Sequence, residues 1–185
     1  AGTAVTAVGV GSLTTVSGLV FRHGSALSGG GLRAVAASPV FTNCTFEGNT
    51  AVLGGGAYLR DGSRADFVGC RFTGNTAEVG GGLYLDFSAV ELASCTIDGN
   101  AAGDGGALVA ANAAEATLGY VSIYGNSTSH GAAIACNESS PRFTNCTIAL
   151  NQGGMATVVW RSSGARLERC IIAFNAAPAF ACQGT

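Results

Sequence analysis

Apolar residues alternate with polar ones over short stretches of this chain, as in Phe41-x-x-Cys44-x-Phe46 and Phe67-x-x-Cys70-x-Phe72. A two-residue period belongs to strands, whose successive side chains point to opposite faces. No stretch keeps a 3.6-residue period for the roughly 10–12 residues that mark a helix. The short strands recur in a longer pattern. Phe46-Glu-Gly-Asn49, Phe72-Thr-Gly-Asn75, Ile97-Asp-Gly-Asn100, Ile123-Tyr-Gly-Asn126, Ile148-Ala-Leu-Asn151 and Ile172-Ala-Phe-Asn175 bring Asn back at steps of 26, 25, 26, 25 and 24 residues. A further step of 26 backwards reaches His23, with Val20 three residues before it.

Other columns share this register. Eight residues before the Asn stand Thr15, Phe41, Phe67, Leu92, Leu118, Phe143 and Leu167; five before it stand Gly18, Cys44, Cys70, Cys95, Val121, Cys146 and Cys170. A glycine-rich corner follows the Asn, at Gly54–Gly56, Gly80–Gly82, Gly105–Gly106 and Gly131, and after it a short strand such as Ala57-Tyr58-Leu59 or Leu83-Tyr84-Leu85. Helical solenoid repeats need about 33 residues. A repeat of 24–26 residues of short strands turned by Gly and Asn closes one rung of a β-solenoid instead. The expected fold is therefore all-β: a right-handed, single-stranded parallel β-helix of about seven coils, forming one domain over residues 1–185. Asn49, Asn75, Asn100, Asn126, Asn151 and Asn175 should form one buried ladder, with His23 above it. The cysteine column should be buried, reduced and unreactive, because an apolar setting disfavours the thiolate. No capping helix is legible at either end, so the chain is expected to be an excised part of a longer repeat protein, or to associate end to end.

Composition narrows the function classes. The chain has 185 residues, 48% hydrophobic and 11% charged, with 29 glycines and a net charge of -2. All nine basic residues are Arg. No basic stripe suggests a nucleic-acid partner. No apolar run reaches the ~18 residues of a membrane span. No C-x2-C pair or carboxylate cluster suggests a metal, and no cofactor is expected.

The paired signature Gly-Gly-[Ala/Leu]-Tyr with Phe-x-x-Asn resembles the repeats of chlamydial polymorphic outer-membrane proteins, and the wider bacterial right-handed β-helix group of the pectin-lyase-like superfamily. The resemblance runs from about Thr14 to Ala173. It implies a secreted or cell-surface, outer-membrane-associated bacterial protein. That superfamily includes lyases, hydrolases, epimerases and adhesins, and fold alone does not choose among them.

Candidate chemistry is sparse. Asn-Thr-Asp, Asp-Asp, Gly-His-Gly and Arg-Ile-Lys motifs of polygalacturonase-like hydrolases are missing; Ser129-His130-Gly131 reads as a turn. Asp66 and Glu91 fall nine residues before the Asn column on adjacent rungs, at a separation near 5 Å that suits a retaining glycosidase pair. Their column continues Thr117, Arg142, Arg166, as a solvated face would. Sequons occur at Asn43, Asn126, Asn137 and Asn145, but Asn126 belongs to the ladder. The strand after the glycine corner reads outward as Arg33, Tyr58, Tyr84, Leu108, Ala133 and Val158. Two positions on it reads Val35, Arg60, Asp86, Ala110, Ala135 and Trp160. Stacked tyrosines beside an Arg60–Asp86 pair could follow an extended sugar chain, with Arg33 free to attract an acidic sugar and Trp160 a separate candidate. The expected ligand residues are Arg33, Tyr58, Arg60, Tyr84 and Asp86. The functional expectation is a non-catalytic scaffold or adhesin-like segment that meets a polysaccharide or a host cell-surface protein. The alternative is a carbohydrate-active enzyme acting on a polyuronate.

Overall fold

The computed structural model describes residues 2–162 and 164–183. It holds 28 strands and, among the described residues, no helix. The strands stack into four parallel sheets that coil right-handedly through about seven turns. Sheet I has eight strands, from Val5–Val8 to Phe180–Gln183; sheet II has seven, from Thr15–Ser17 to Arg166–Glu168. Sheet III has seven, from Val20–Arg22 to Ile171–Ala173, and sheet IV six, from Ser25–Ser28 to Gln152–Gly153. One rung runs Ala57–Arg60, Arg64–Val68, Arg71–Thr73, Thr76–Val79 before the next begins.

Corners between sheets are turned by residues in the left-handed region, among them Asn43, Gly48, Gly54 and Asp61, with φ between 52° and 64°. Close approach adds a second demand at the glycine corner. A Cβ on Gly55 would lie 2.6 Å from the Gly81 oxygen of the next rung, so only glycine lets the backbones stack there.

The interior is layered by column. Phe46 and Phe72 stack at 4.8 Å and Phe41 and Phe67 at 5.2 Å, while the two columns meet edge to face, Phe41 on Phe46 at 5.5 Å. Ile97, Ile123 and Ile148 continue the first column, fully buried. The Asn ladder forms, buried from Asn49 to Asn151 and half-buried at its last member, Asn175. Each amide donates Nδ2–H to the Oδ1 of the Asn below, at 3.0 Å for Asn49 to Asn75 and 2.9 Å for Asn75 to Asn100. It donates also to a main-chain carbonyl of the rung above, such as Phe46 from Asn75. Each Oδ1 accepts the main-chain N–H of the Asn above, as Asn75 does from Asn49 at 3.0 Å. Donors and acceptors are thus matched without water, which a buried amide requires.

The top of the ladder differs from expectation. Phe21, not Val20, pairs with Phe46, and Val16, not Thr15, pairs with Phe41. The first step is 25 residues, so Gly24 N–H bonds Asn49 Oδ1 at 2.9 Å and His23 is not in the ladder. His23 instead occupies the left-handed corner that Gly48 fills below it, with φ of 58° and its side chain exposed.

The cysteines are free and mostly buried. In the inward column each Sγ–H finds a carbonyl, Cys95 to Phe67 at 3.2 Å and Cys146 to Leu118 at 3.4 Å. Burial pushes the Cys44 and Cys146 thiols up and the Cys136 thiol up to about 12. Cys170 is half-buried and Cys182 exposed.

Candidate functional site

Two outward faces carry the candidate chemistry, and they are built differently. On sheet I the outward column is Arg33, Tyr58, Tyr84, Val109, Ala135 and Val159. This corrects the sequence expectation from the fourth rung on: Leu108, Ala110, Val158 and Trp160 point inward, and Ala133 is not in the column. Ala107 stands where the third corner glycine, Gly82, stands one rung above, and an alignment on the glycine run slips there by one residue. A one-residue slip exchanges the faces of a strand. Trp160 accordingly packs on the core and stacks on Phe180 at 5.0 Å.

Sheet IV turns into sheet I through the tight glycine corner, so the first outward residues of sheet I lie in a crook between the two. Val79 of sheet IV packs with Tyr84, Val109, Ala111 and Ala135 in a second apolar cluster. Tyr58 is only 5% exposed. Its ring stacks on Tyr84 at 5.5 Å. Most polar groups along the crook are bonded to one another. Asp86 accepts from Tyr58 Oη at 3.4 Å and from Asn112 Nδ2 at 2.7 Å. Burial, and then the Asp86 charge, raise both tyrosine hydroxyls above their ordinary value. Arg60 does not neutralise Asp86. It grips Asp61, Nε to Oδ2 at 2.7 Å and Nη2 to Oδ1 at 3.2 Å, because the left-handed Asp61 turns its carboxylate alongside. Lower down, Arg161 Nη1 reaches across to Asp104 Oδ2 and to Asn137 Oδ1, both at 3.1 Å. Arg33 sits half-buried over Tyr58.

Sheet II presents an open groove. Asp66 lies opposite Glu91 on adjacent strands, and the column continues to Thr117, Arg142 and Arg166. Two residues earlier, Arg64, Ala89 and Glu115 form a parallel column. Together they floor two depressions of about 640 and 650 Å³ that share Glu115 and Thr117, and therefore run on as one groove. Ser12 and Ser38 flank one end; Glu138 and Ser140 flank the other. Among the described residues, Arg64, Asp66, Glu91, Glu115 and Arg142 enter no ion pair and no side-chain hydrogen bond. At the rim, Phe87 turns the corner from sheet I with φ of 45°, is 63% exposed, and lines a smaller hollow with Arg64, Ala89 and Glu115. Sequence reasoning reached Asp66 and Glu91 but not Arg64, Glu115 or Phe87. The first two were legible as the same alternation two positions earlier. Phe87 was not, because a corner residue belongs to neither strand face.

The remaining candidates are dispersed. His130 Nδ1 lies 2.8 Å from Ser129 Oγ on an exposed turn. Arg71 is bidentate to Asp98, which also accepts from Thr73, so this buried charge on sheet III is internally matched. Of the sequons, Asn43 is exposed, Asn137 and Asn145 are half-buried, and Asn126 is enclosed in the ladder. Among the described residues no group of three His, Cys, Asp or Glu converges as a metal site. Among the described residues no helix is long and apolar enough to cross a membrane.

No curated protein and no solved structure matches the chain in comparison. The family model for the right-handed beta helix region matches residues 2–134, more than half of the chain. With the four parallel sheets and the unbroken ladder, this places the chain in the right-handed β-helix family.

Proposed function

We propose that this β-helix is a rigid, non-catalytic scaffold on the outside of a bacterial cell or secreted from it, and that its groove over sheet II holds an extended glycan. One observation carries the reading: five charged side chains on contiguous strands line a concave surface with their hydrogen-bonding capacity unengaged. By contrast, Arg60, Arg71, Asp86, Asp98, Asp104 and Arg161 are bonded within the chain. Adjacent strands repeat at ~4.8 Å, close to the advance of one sugar residue, so a polymer lying along the rod meets a new set of polar groups at each step. An adhesin-like role, and the resemblance to polymorphic outer-membrane and pectin-lyase-like proteins, belong to this proposal. So does a contribution from Arg33, Tyr58, Arg60, Tyr84 and Asp86 as a second contact. A glycan array with wild type and an Arg64→Ala/Glu115→Ala double variant tests the reading. Binding by wild type that is lost in the variant supports it; binding unchanged in the variant contradicts it.

A second reading is favoured by one feature, the direct opposition of Asp66 and Glu91 within the groove. Carboxyl groups about 5–5.5 Å apart serve retaining glycosidases. Release of reducing ends from a bound polysaccharide, abolished by Asp66→Asn or Glu91→Gln, would establish hydrolysis. A polyuronate is a poor substrate for this face, since its carboxylates would meet those of Asp66, Glu91 and Glu115.

A further inference from the structure

The groove is not electrically uniform, and that asymmetry selects among glycans. Its centre holds Asp66 opposite Glu91, with Glu115 on the next strand. Arg64 lies two rungs from Glu115 in one column, and Arg142 lies beyond Thr117 in the other. Like charges placed opposite one another on neighbouring strands are unfavourable, and among the described residues no cation pairs with these three. The carboxylates are spread along the strands and do not converge on a point. That spacing suits several ammonium groups on a chain better than one metal ion, which needs about six converging oxygens. An ammonium carries three donors and no acceptor, whereas an ionised carboxylate only accepts. Phe87 stands at the rim of the same acidic stretch, exposed and beside Arg64 and Glu115. An aromatic face next to acceptors takes the apolar face of a sugar ring and also attracts a nearby cation. Its left-handed backbone, unusual for a bulky residue, sets it at the corner, clear of both strand faces. Tyr120 and Phe174 are also exposed at left-handed corners, but neither lines this groove.

We propose that the groove recognises a cationic oligosaccharide of free amino sugars, with one ring stacked on Phe87 and ammonium groups held by Asp66, Glu91 and Glu115. This rests on the groove being the glycan site, and it specifies the ligand's charge. The test is calorimetric titration of the whole chain, at low and at physiological salt, with a glucosamine hexamer, an N-acetylglucosamine hexamer, a galacturonate hexamer and a lysine hexapeptide. The glucosamine hexamer should bind at least about tenfold more tightly than the other sugars, a 1.4 kcal/mol preference, and lose affinity as salt rises. Glu91→Gln and Glu115→Gln should each weaken it by roughly three- to tenfold, with an unchanged urea midpoint as the control for folding. Phe87→Ala should weaken the glucosamine hexamer by about threefold or more and leave any lysine-peptide binding as it was. Acetylated or acidic sugars binding as well as glucosamine, with loss in the groove variants, would overturn the charge assignment and leave the groove as a glycan site. A lysine peptide equalling the sugar, with no effect of Phe87→Ala, would show a bare polycation surface and overturn the proposal. Binding of no sugar by wild type would overturn both readings.

Discussion

The outer faces of sheets I and II are adjacent along every rung, yet most of their charged side chains have different fates. In the crook of sheet I, Asp86 is bonded by Tyr58 and Asn112, Arg60 by Asp61, and Arg161 by Asp104 and Asn137. In the groove of sheet II, a similar number of charged groups stands open. The difference comes from the corners. Beyond the glycine corner, Val79 of sheet IV packs with Tyr84 and Val109 of sheet I, so the first outward position of that sheet is covered and polar groups at its rim bond to one another. The corner from sheet I to sheet II carries side chains such as Asp61, Phe87 and Glu138. Residues beyond it remain in water, where a charge needs no partner in the protein. A solenoid can therefore bury polar groups on its outside as well as its inside, and the unbonded face is the one left for a ligand.

If bonded polar groups hold the rod together and open ones do not, substitutions should separate the two classes by stability. The largest effect is expected inside the ladder. Asn100→Ala removes the acceptor for Asn75 N–H and Nδ2 and the donor to Phe72 and Asn126. Several buried groups are then unsatisfied, at about 1–3 kcal/mol each, and urea unfolding should show a loss of roughly 3–5 kcal/mol. In the crook, Tyr58→Ala removes a ring that is almost wholly covered and frees Asp86 of one donor. A loss of about 2–3 kcal/mol is expected from the cavity. A loss under about 0.5 kcal/mol, typical of an ordinary surface position, would show that the crook is not closed.

The same burial sets a pH dependence. Cys44, Cys136, Cys146, Tyr58 and Tyr84 all have their folded pKa raised above the ordinary 9.0 for thiols and 10.0 for phenols. Below those values both states keep the protons and the contribution is fully present. As pH rises past 9 and then 10, the unfolded chain releases protons first, so stability falls. Urea midpoints that fall from pH 8.5 to 11 are the expected result, and a Tyr58→Phe/Tyr84→Phe variant should fall less above pH 10. Smallest of all should be the groove. Glu91→Gln should change stability by less than about 0.5 kcal/mol. Phe87→Asn should raise it by a few tenths to about 1 kcal/mol, because Asn tolerates the left-handed corner better than Phe. Gain of stability with loss of ligand affinity would mark Phe87 as kept for binding.

The rod itself was legible because its signal is multiplied. Asn at one column in six rungs, with Phe and Cys columns beside it, leaves one register open. Where a column was interrupted, legibility failed by one residue. A step of 26 from Asn49 reaches His23, with Val20 in the apolar column, although Phe21 fills that column. Leu108 and Ala110 were assigned outward because Ala107 had replaced a glycine. The crook and the groove were legible only in part, since outward alternation says which way a side chain points but not whether another sheet covers it. Tyr58 and Asp66 look equally outward in sequence; one is enclosed and the other open. The Arg60–Asp61 pair was missed for a local reason, because neighbours in a strand face apart and only the left-handed corner brings these two together.

The central claim is that the open face, ahead of the bonded one, meets the ligand. Backbone chemical-shift mapping of the chain titrated with a glucosamine hexamer tests it most directly. The account predicts shifts concentrated at residues 64–66, 87–91 and 115–117. Shifts confined to Arg33, Tyr58–Arg60 and Tyr84–Asp86 would contradict it and return the site to the crook.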